Sequence, residues 1–253
     1  MDVWNINDSW YHGYIDACRS AVSDDKYFHT FKSNPAYNIV LEHLDYNQGL
    51  SYIKEIKKDR EIMSKIEMFK ENDILGGSNI QDYRNEHIGY ISPSTLRYIK
   101  VLCDLRNLFG SLSNYNICEI GGGYGGQCKI IDIFFNIKSY TLVDLYDVNR
   151  LSKLYLERIG LSTKIKHLTY PIQDNDKYDL VISNYAFSEL PKHVQDNYMY
   201  ILQNSKHGYI TFNNSSTDSR MTYHAHDIQD IIKNSNIIKE TPETLHNNLV
   251  LYW

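Results

Sequence analysis

Glu119-Ile120-Gly121-Gly122-Gly123-Tyr124-Gly125-Gly126 is the stretch on which the reading of the fold turns. A short strand-like run, Tyr115-Asn116-Ile117-Cys118-Glu119-Ile120, leads into it, and from Gly126 to Phe135 apolar residues recur at helical spacing. Gly121, Gly123 and Gly126 fit G-x-G-x-x-G, and a strand before and a helix after give that motif its meaning. Glycines let the chain turn sharply and let a ligand lie on bare backbone at a helix N-terminus. Alone, the motif implies only a nucleotide-like ligand.

Downstream, strands and helices alternate. Ser139 to Asp144 reads as a second strand, Asp147 to Ile159 as a helix stopped by Gly160, and Thr163 to Leu168 as a third strand. Tyr178 to Asn184 is a fourth, apolar enough for burial on both faces. Lys192 to Gln203 is helical, Gly208 to Phe212 a fifth strand and Asp227 to Asn234 a helix. Ile237–Glu240 and Asn248–Tyr252 are joined by a short loop around Pro242 and should pair antiparallel. The expectation is an α/β fold: a Rossmann-like, seven-stranded, mostly parallel sheet with a C-terminal antiparallel hairpin, the layout of the class I methyltransferase core, over residues 111–253.

Upstream the pattern changes. Tyr37–Leu44, Leu50–Asn72 and Ser94–Phe109 carry helical periodicity, punctuated by Asn34-Pro35, Gly76-Gly77-Ser78-Asn79 and Ser92-Pro93. Pro93 suits a first helical turn. Residues 1–110 are read as a mainly helical cap or substrate region. Interleaved Glu55, Asp59, Glu61 and Glu67 make the lysines of Lys54–Lys70 a solvated helix face.

Two carboxylates narrow the ligand. Glu119, just before the first glycine, suits a cationic amine and would repel a pyrophosphate. Asp144, ending the second strand, stands where an acid accepts hydrogen bonds from ribose hydroxyls. S-adenosylmethionine (SAM) meets both conditions, carrying an amine, a sulfonium and no phosphate. Other uses of the two acids stay open: Glu119 satisfied by local backbone amides, and Asp144 as a helix cap, a task Asp147 could also fill. A nicotinamide dinucleotide likewise uses an acid after the second strand. The chain end of the fourth strand, Ser183-Asn184-Tyr185-Ala186-Phe187-Ser188-Glu189-Leu190, belongs on the ligand side of such a sheet. Asn184 and Tyr185 are candidates to orient the SAM amine or the acceptor. Methyl transfer to a hydroxyl needs a group to take its proton. Glu189, His193, His224 and His226 are the candidates, with Glu189, His226 and His224 preferred. His224-Ala225-His226 also has the form of a metal pair, but Mg2+ favours carboxylates, and no metal is assigned.

At this point the residues resemble a known family. Glu119-Ile-Gly-Gly-Gly-Tyr-Gly-Gly-Gln127, Leu142-Val-Asp-Leu145 and Ser183-Asn-Tyr-Ala-Phe-Ser-Glu-Leu190 resemble the bacterial sugar O-methyltransferases of capsule and O-antigen clusters, and Asn34-Pro-Ala-Tyr-Asn38 and Ser92-Pro-Ser-Thr-Leu-Arg-Tyr98 are similar to that family too. The glycine string is the specific part. The resemblance implies a SAM-dependent O-methyltransferase that releases S-adenosylhomocysteine (SAH) and takes a sugar or nucleotide-sugar hydroxyl as acceptor. It implies a cofactor lining of Glu119, Gly121, Gly122, Gly123, Tyr124, Gln127, Asp144, Leu145, Ser183, Asn184 and Tyr185. The Asn/Lys/Ile/Tyr-rich composition is similar to that of AT-rich genomes such as Campylobacter. That points to a GDP-heptose in capsular or surface polysaccharide synthesis, with a phosphoramidate-type capsule precursor as a rival acceptor.

Composition bounds the rest. The chain has 253 residues, net charge −5 and no long basic tract, which disfavours a nucleic-acid substrate. Met1–Asn5 shows no secretory n-region and no segment is apolar enough to span a bilayer, so a cytoplasmic protein is expected. The scattered Cys18, Cys103, Cys118 and Cys128 suggest reduced thiols and not a zinc site. The 22 tyrosines are read chiefly as half-buried aromatics. A homodimer is compatible with the sequence. The competing enzyme reading is an NAD(P)-dependent sugar oxidoreductase or epimerase, for which Tyr146 and Arg150 have Tyr-x-x-x-Lys spacing with Arg in place of Lys. A SAM-binding scaffold without turnover, or methylation of protein or nucleic acid, completes the alternatives.

Overall fold

The computed structural model describes residues 9–172, 175–213 and 221–253. Met1–Asn5, on which the reading of targeting rests, lies outside them. The chain forms two compact units.

The first unit comprises Met1–Gly110, Gly123–Phe135 and Tyr146–Ser162. Its helices are α1 (Ser9–Ser23), α2 (Asp25–Phe28), α3 (Pro35–Leu41), α4 (Tyr46–Ile56), α5 (Arg60–Met63), α6 (Ile66–Phe69), α7 (Pro93–Phe109), α8 (Gly126–Phe134) and α9 (Tyr146–Arg158). The proline signals hold. Asn34 caps α3 through the amide of Ala36, Ser92 caps α7 through that of Thr95, and each helix opens on its proline. The Leu50–Asn72 periodicity does not give one helix. It breaks into α4, α5, α6 and a 3-10 turn, Lys70–Asp73. The first break lies at Asp59, whose carboxylate accepts from the amides of Glu61 and Ile62 and starts α5 as a new turn. Two features were not anticipated. One is α1, although Tyr11, Tyr14, Ala17, Cys18 and Ala21 are buried at helical spacing. The other is a small antiparallel sheet of β1 (Gln81–Tyr83) and β2 (Gly89–Ile91).

α1 packs on α9 and α3, α4 on α7, and α7 on α8. Tyr37, Tyr124, Tyr155, Phe28 and Phe31 fill the core of this unit. Asp147 does not cap α9. It sits inside the first turn, where its carboxylate takes Arg19 at 2.9 Å and Arg150 at 3.2 Å.

The second unit comprises Ser111–Gly122, Asn136–Leu145 and Thr163–Trp253. It carries β3 (Asn116–Ile120), β4 (Ser139–Val143), β5 (Ile165–Leu168), β6 (Leu180–Asn184), β7 (His207–Phe212), β8 (Asn236–Lys239) and β9 (Leu249–Tyr252), with helices α10 (Ala186–Glu189), α11 (Lys192–Asn204) and α12 (Ala225–Ile231). The sheet order is β5-β4-β3-β6-β7-β9-β8. All pairings through β7 are parallel, and β9 runs antiparallel between β7 and β8. Counted within the sheet, this is 3-2-1-4-5-7-6, the expected Rossmann-like methyltransferase arrangement. The central strands are buried at nearly every position, whereas β8 is mostly exposed. Strand order reverses between β3 and β6, so ligands are expected outside the carboxyl ends of these two neighbours. α12 starts two residues before the expected Asp227, because the Asp227 carboxylate takes the amide of His224 and fixes the first turn there.

Among the described residues no helix is long and apolar enough to cross a membrane, and no three His, Cys, Asp or Glu side chains gather as a metal site. All four cysteines are buried.

Candidate functional site

At the end of β3 the chain leaves the sheet through Gly121, whose φ is +77° and whose amide still donates to the Val143 carbonyl at 2.8 Å. A side chain here would collide with the Cβ of Ala186, so the turn after β3 and the start of α10 touch backbone to backbone. Gly122 is equally confined: a Cβ there would strike Leu142 and stand 3.2 Å from Oε2 of Glu119. The glycines therefore bring bare backbone up to the Glu119 carboxylate.

Glu119 itself is 2% exposed. The hydroxyl of Tyr140 donates to its Oε2 at 2.8 Å, and the Asn184 amide reaches Oε1 at 3.5 Å. Both donors are neutral side chains, and no local backbone amide serves it among the bonds of the described residues. Burial pushes its pKa up to about 7. The Tyr140 hydrogen bond opposes the rise, the nearby Asp144 charge adds to it, and Asn184 opposes it weakly. Oδ1 of Asn184 is buried beside this group without a hydrogen-bond partner.

Asp144 follows β4 directly and is half-buried. Its Oδ1 accepts from the amide of the adjacent Leu145 at 2.7 Å, and its own amide donates to the Leu168 carbonyl. Register explains the pairing of the two acids: Glu119 stands opposite Leu142 and Ile120 opposite Val143, so the ends of β3 and β4 arrive level.

The chain after β6 is tightly bound. Ser183 donates to the Ile120 carbonyl at 2.9 Å and accepts from the Phe187 amide at 3.0 Å, which ties β6 to β3 and starts α10. Tyr185 has φ +69° and ψ −39°, a backbone state costing about 1–3 kcal/mol for a side-chain-bearing residue. Its hydroxyl is held by Glu240 and Thr244, in the connection between β8 and β9. Glu189 ends α10, is exposed and accepts from the Asn213 amide group. Ser188 accepts from the Asn213 amide and the Ser188 carbonyl from Thr222, while Gln195 takes the amide of Tyr223. The structure thus brings the Thr222–Tyr223 stretch, and His224 just beyond it, to the segment that carries Glu189. His224 is half-buried at the start of α12, and His226 is exposed on its first turn.

Several expected site residues belong to the helical unit. Gly123 faces Leu41, whose Cδ1 would lie 2.7 Å from a Cβ. Tyr124 is buried against Tyr155, Tyr98 and Phe31, with Lys32 Nζ 4.3 Å from its ring centre, and its hydroxyl accepts from Asn72. Gln127 is buried and donates to the Tyr98 carbonyl at 3.2 Å. The side chains of Tyr124 and Gln127 are thus engaged in packing that unit. Tyr146, from the oxidoreductase reading, is exposed, and Arg150 lies over its ring while pairing with Asp147, an arrangement with no lysine to move a proton. Sequence reasoning missed Tyr140 and the Glu240–Thr244 anchor of Tyr185. The first is signalled only by the β3–β4 register and the second by nothing local.

No protein-family model and no curated protein matches the chain. Solved structures do. A Galdieria sulphuraria protein, provisionally described as a sarcosine dimethylglycine methyltransferase, is similar at 23% identity over 55% of this chain and 55% of its own length, with a TM-score of 0.41. A SAM-dependent methyltransferase from Aquifex aeolicus is similar at 15% identity over 61% of this chain and 87% of that one, with a TM-score of 0.45. Magnesium protoporphyrin IX methyltransferase from Synechocystis PCC 6803, with bound SAH, is similar at 14% identity over 62% and 85%, with a TM-score of 0.47.

Proposed function

We propose that the protein is a SAM-dependent O-methyltransferase. The observation that carries this reading is the Glu119 carboxylate: buried at the switch point, faced by Gly122 and, among the described residues, hydrogen-bonded by the neutral donors Tyr140 and Asn184. A diphosphate lying there would meet a carboxylate, whereas an amine meets an acceptor. The orphaned Oδ1 of Asn184 fits the same ligand, because an ammonium has three N–H donors. In this reading Glu119 and Asn184 hold the amine, Asp144 the ribose hydroxyls, Leu145 the adenine side and Gly121–Gly123 the backbone face. Ser183 fixes the strand end, while the side chains of Tyr124 and Gln127 pack the helical unit.

When bound, the cofactor supplies a methyl group on a positively charged sulfur. The chain's part is to align an acceptor oxygen with that bond and take its proton. Glu189 is proposed as the base, since it follows the Asn184–Tyr185 corner directly and is exposed, with His226 and His224 as alternatives. The resemblance of the glycine string to sugar O-methyltransferases extends the proposal to a sugar acceptor, nucleotide-linked as in a GDP-heptose, in the cytoplasm. Residues 1–110 are proposed as the acceptor region and 111–253 as the cofactor core.

Titration calorimetry with SAH on the wild type, Asp144→Ala and Glu119→Ala tests the reading. The expected result is micromolar binding lost in both variants. Binding of NAD(P)H instead of SAH by the wild type overturns it.

A further inference from the structure

We infer that Glu119 selects the cationic end of the ligand by exchanging its own proton for an ammonium group, so that binding and proton release are one event. This rests on the cofactor reading above. The exchange is Glu119–COOH plus R–NH3+ giving the Glu119 carboxylate hydrogen-bonded to R–NH3+, with one proton passing to solvent.

The geometry is a set of acceptors short of donors. Glu119 receives one good hydrogen bond, from Tyr140 at 2.8 Å, and one long contact, from Asn184 at 3.5 Å. Asn184 adds a second buried oxygen, Oδ1, with no donor. Gly122 meets the carboxylate with backbone alone, since a Cβ there would stand 3.2 Å from Oε2 and strike Leu142. The groups acting on Glu119 can be named from each element around it: Tyr140 and Asp144 from β4 and its end, and Asn184 from β6. Tyr198 of α11 faces Asp144 in turn. None of these is a cation. A buried carboxylate in that company keeps its proton to about neutrality, and the ammonium is the charge that displaces it. The direction follows from linkage. A group whose pKa falls on binding makes affinity rise with pH up to its free value and level off above it.

The consequence is a pH-dependent preference between ligands that share an adenosine and differ in the ammonium. SAH carries the amino-acid end and 5′-methylthioadenosine lacks it. Calorimetry of both, at pH 5.5, 6.2 and 7.0 and in two buffers of different ionisation enthalpy, reads affinity and proton count together. The SAH ammonium stays charged across this window. SAH affinity is expected to rise about tenfold from pH 5.5 to 7.0 with release approaching one proton at the acid end. Methylthioadenosine affinity is expected to stay level. In Glu119→Gln, SAH should bind more weakly and lose the slope. SAH binding with no proton release overturns the inference and leaves the cofactor reading standing, as does a slope that survives in Glu119→Gln. Failure of both ligands to bind the wild type removes the cofactor reading and the inference with it. Should the variant fail to fold, the two-buffer proton count on the wild type decides alone.

Discussion

Two buried polar centres, one in each unit, have opposite bookkeeping of donors and acceptors. In the helical unit, Asn72 donates to Thr95 at 2.8 Å and to the Tyr124 hydroxyl at 3.0 Å. Its carbonyl receives Lys32 at 2.7 Å, and the Tyr155 hydroxyl lies within reach of that carbonyl and of Oδ1. Asp73 beside it accepts from the Ser92 hydroxyl and amide and from Thr95. Every polar atom of Asn72's side chain is engaged. At the strand ends of the sheet unit, Glu119 and Asn184 instead hold more acceptors than donors. A satisfied buried network fixes one packing, whereas an unsatisfied one is high in energy until something binds it. The contrast is between Asn72, whose side chain is fully engaged in packing, and the Glu119–Asn184 pair, which is proposed to meet a ligand.

The sharpest way to break that contrast is to remove Asn72. Asn72→Ala takes the side-chain donor from the buried Tyr124 and Thr95 hydroxyls, while Tyr155 keeps the backbone carbonyl of residue 72, and should cost about 3 kcal/mol, read as a lower urea midpoint. A loss under about 1 kcal/mol would show that the network is not structural. Next, Gly122→Ala places a methyl group against Leu142 and the Glu119 carboxylate. SAH affinity should fall more than about 100-fold, roughly 3 kcal/mol, and unchanged binding would place the ligand elsewhere.

Glu119→Gln sharpens the comparison through stability. Its folded pKa, about 7, lies above the unfolded value near 4.5, so the folded state binds more protons between these values. Stability from this group is therefore present below about pH 4.5 and lost as pH rises to about 7. The variant should be more stable than wild type by about 3 kcal/mol at pH 8, with little difference near pH 4.5. Parallel denaturation at the two pH values checks it, and an equal difference at both would contradict the assignment. The smallest effect is expected at Glu42 of the helical unit. Its carboxyl is buried, and burial raises its pKa against the opposing pull of Lys32 and of the Ser94 hydroxyl. Glu42→Gln should shift stability by less than about 1 kcal/mol at neutral pH and leave SAH affinity unchanged.

Sheet order, the glycine turn and the two acids were legible in the sequence because each rests on local pattern: alternation, glycine spacing and a carboxylate at a strand end. The donors around Glu119 were not. Tyr140 becomes its partner only through the pairing of β3 with β4, and Asn184 only because β6 lies beside β3. Tyr124 and Gln127 followed the glycine string in the reading, yet their side chains pack in a unit built from residues far upstream. The broken Leu50–Asn72 segment has a related cause: Asp59 competes for amides that periodicity alone would assign to a continuous helix.

The position of β9 has a consequence for synthesis. β8 touches the sheet only through β9, which is made later. A nascent chain halted after Lys239 can already assemble the parallel run β5-β4-β3-β6-β7. It leaves β8 with no neighbour, and also Tyr185 without the Thr244 contact. The corner proposed to face the acceptor is thus completed last, during translation of the segment that follows.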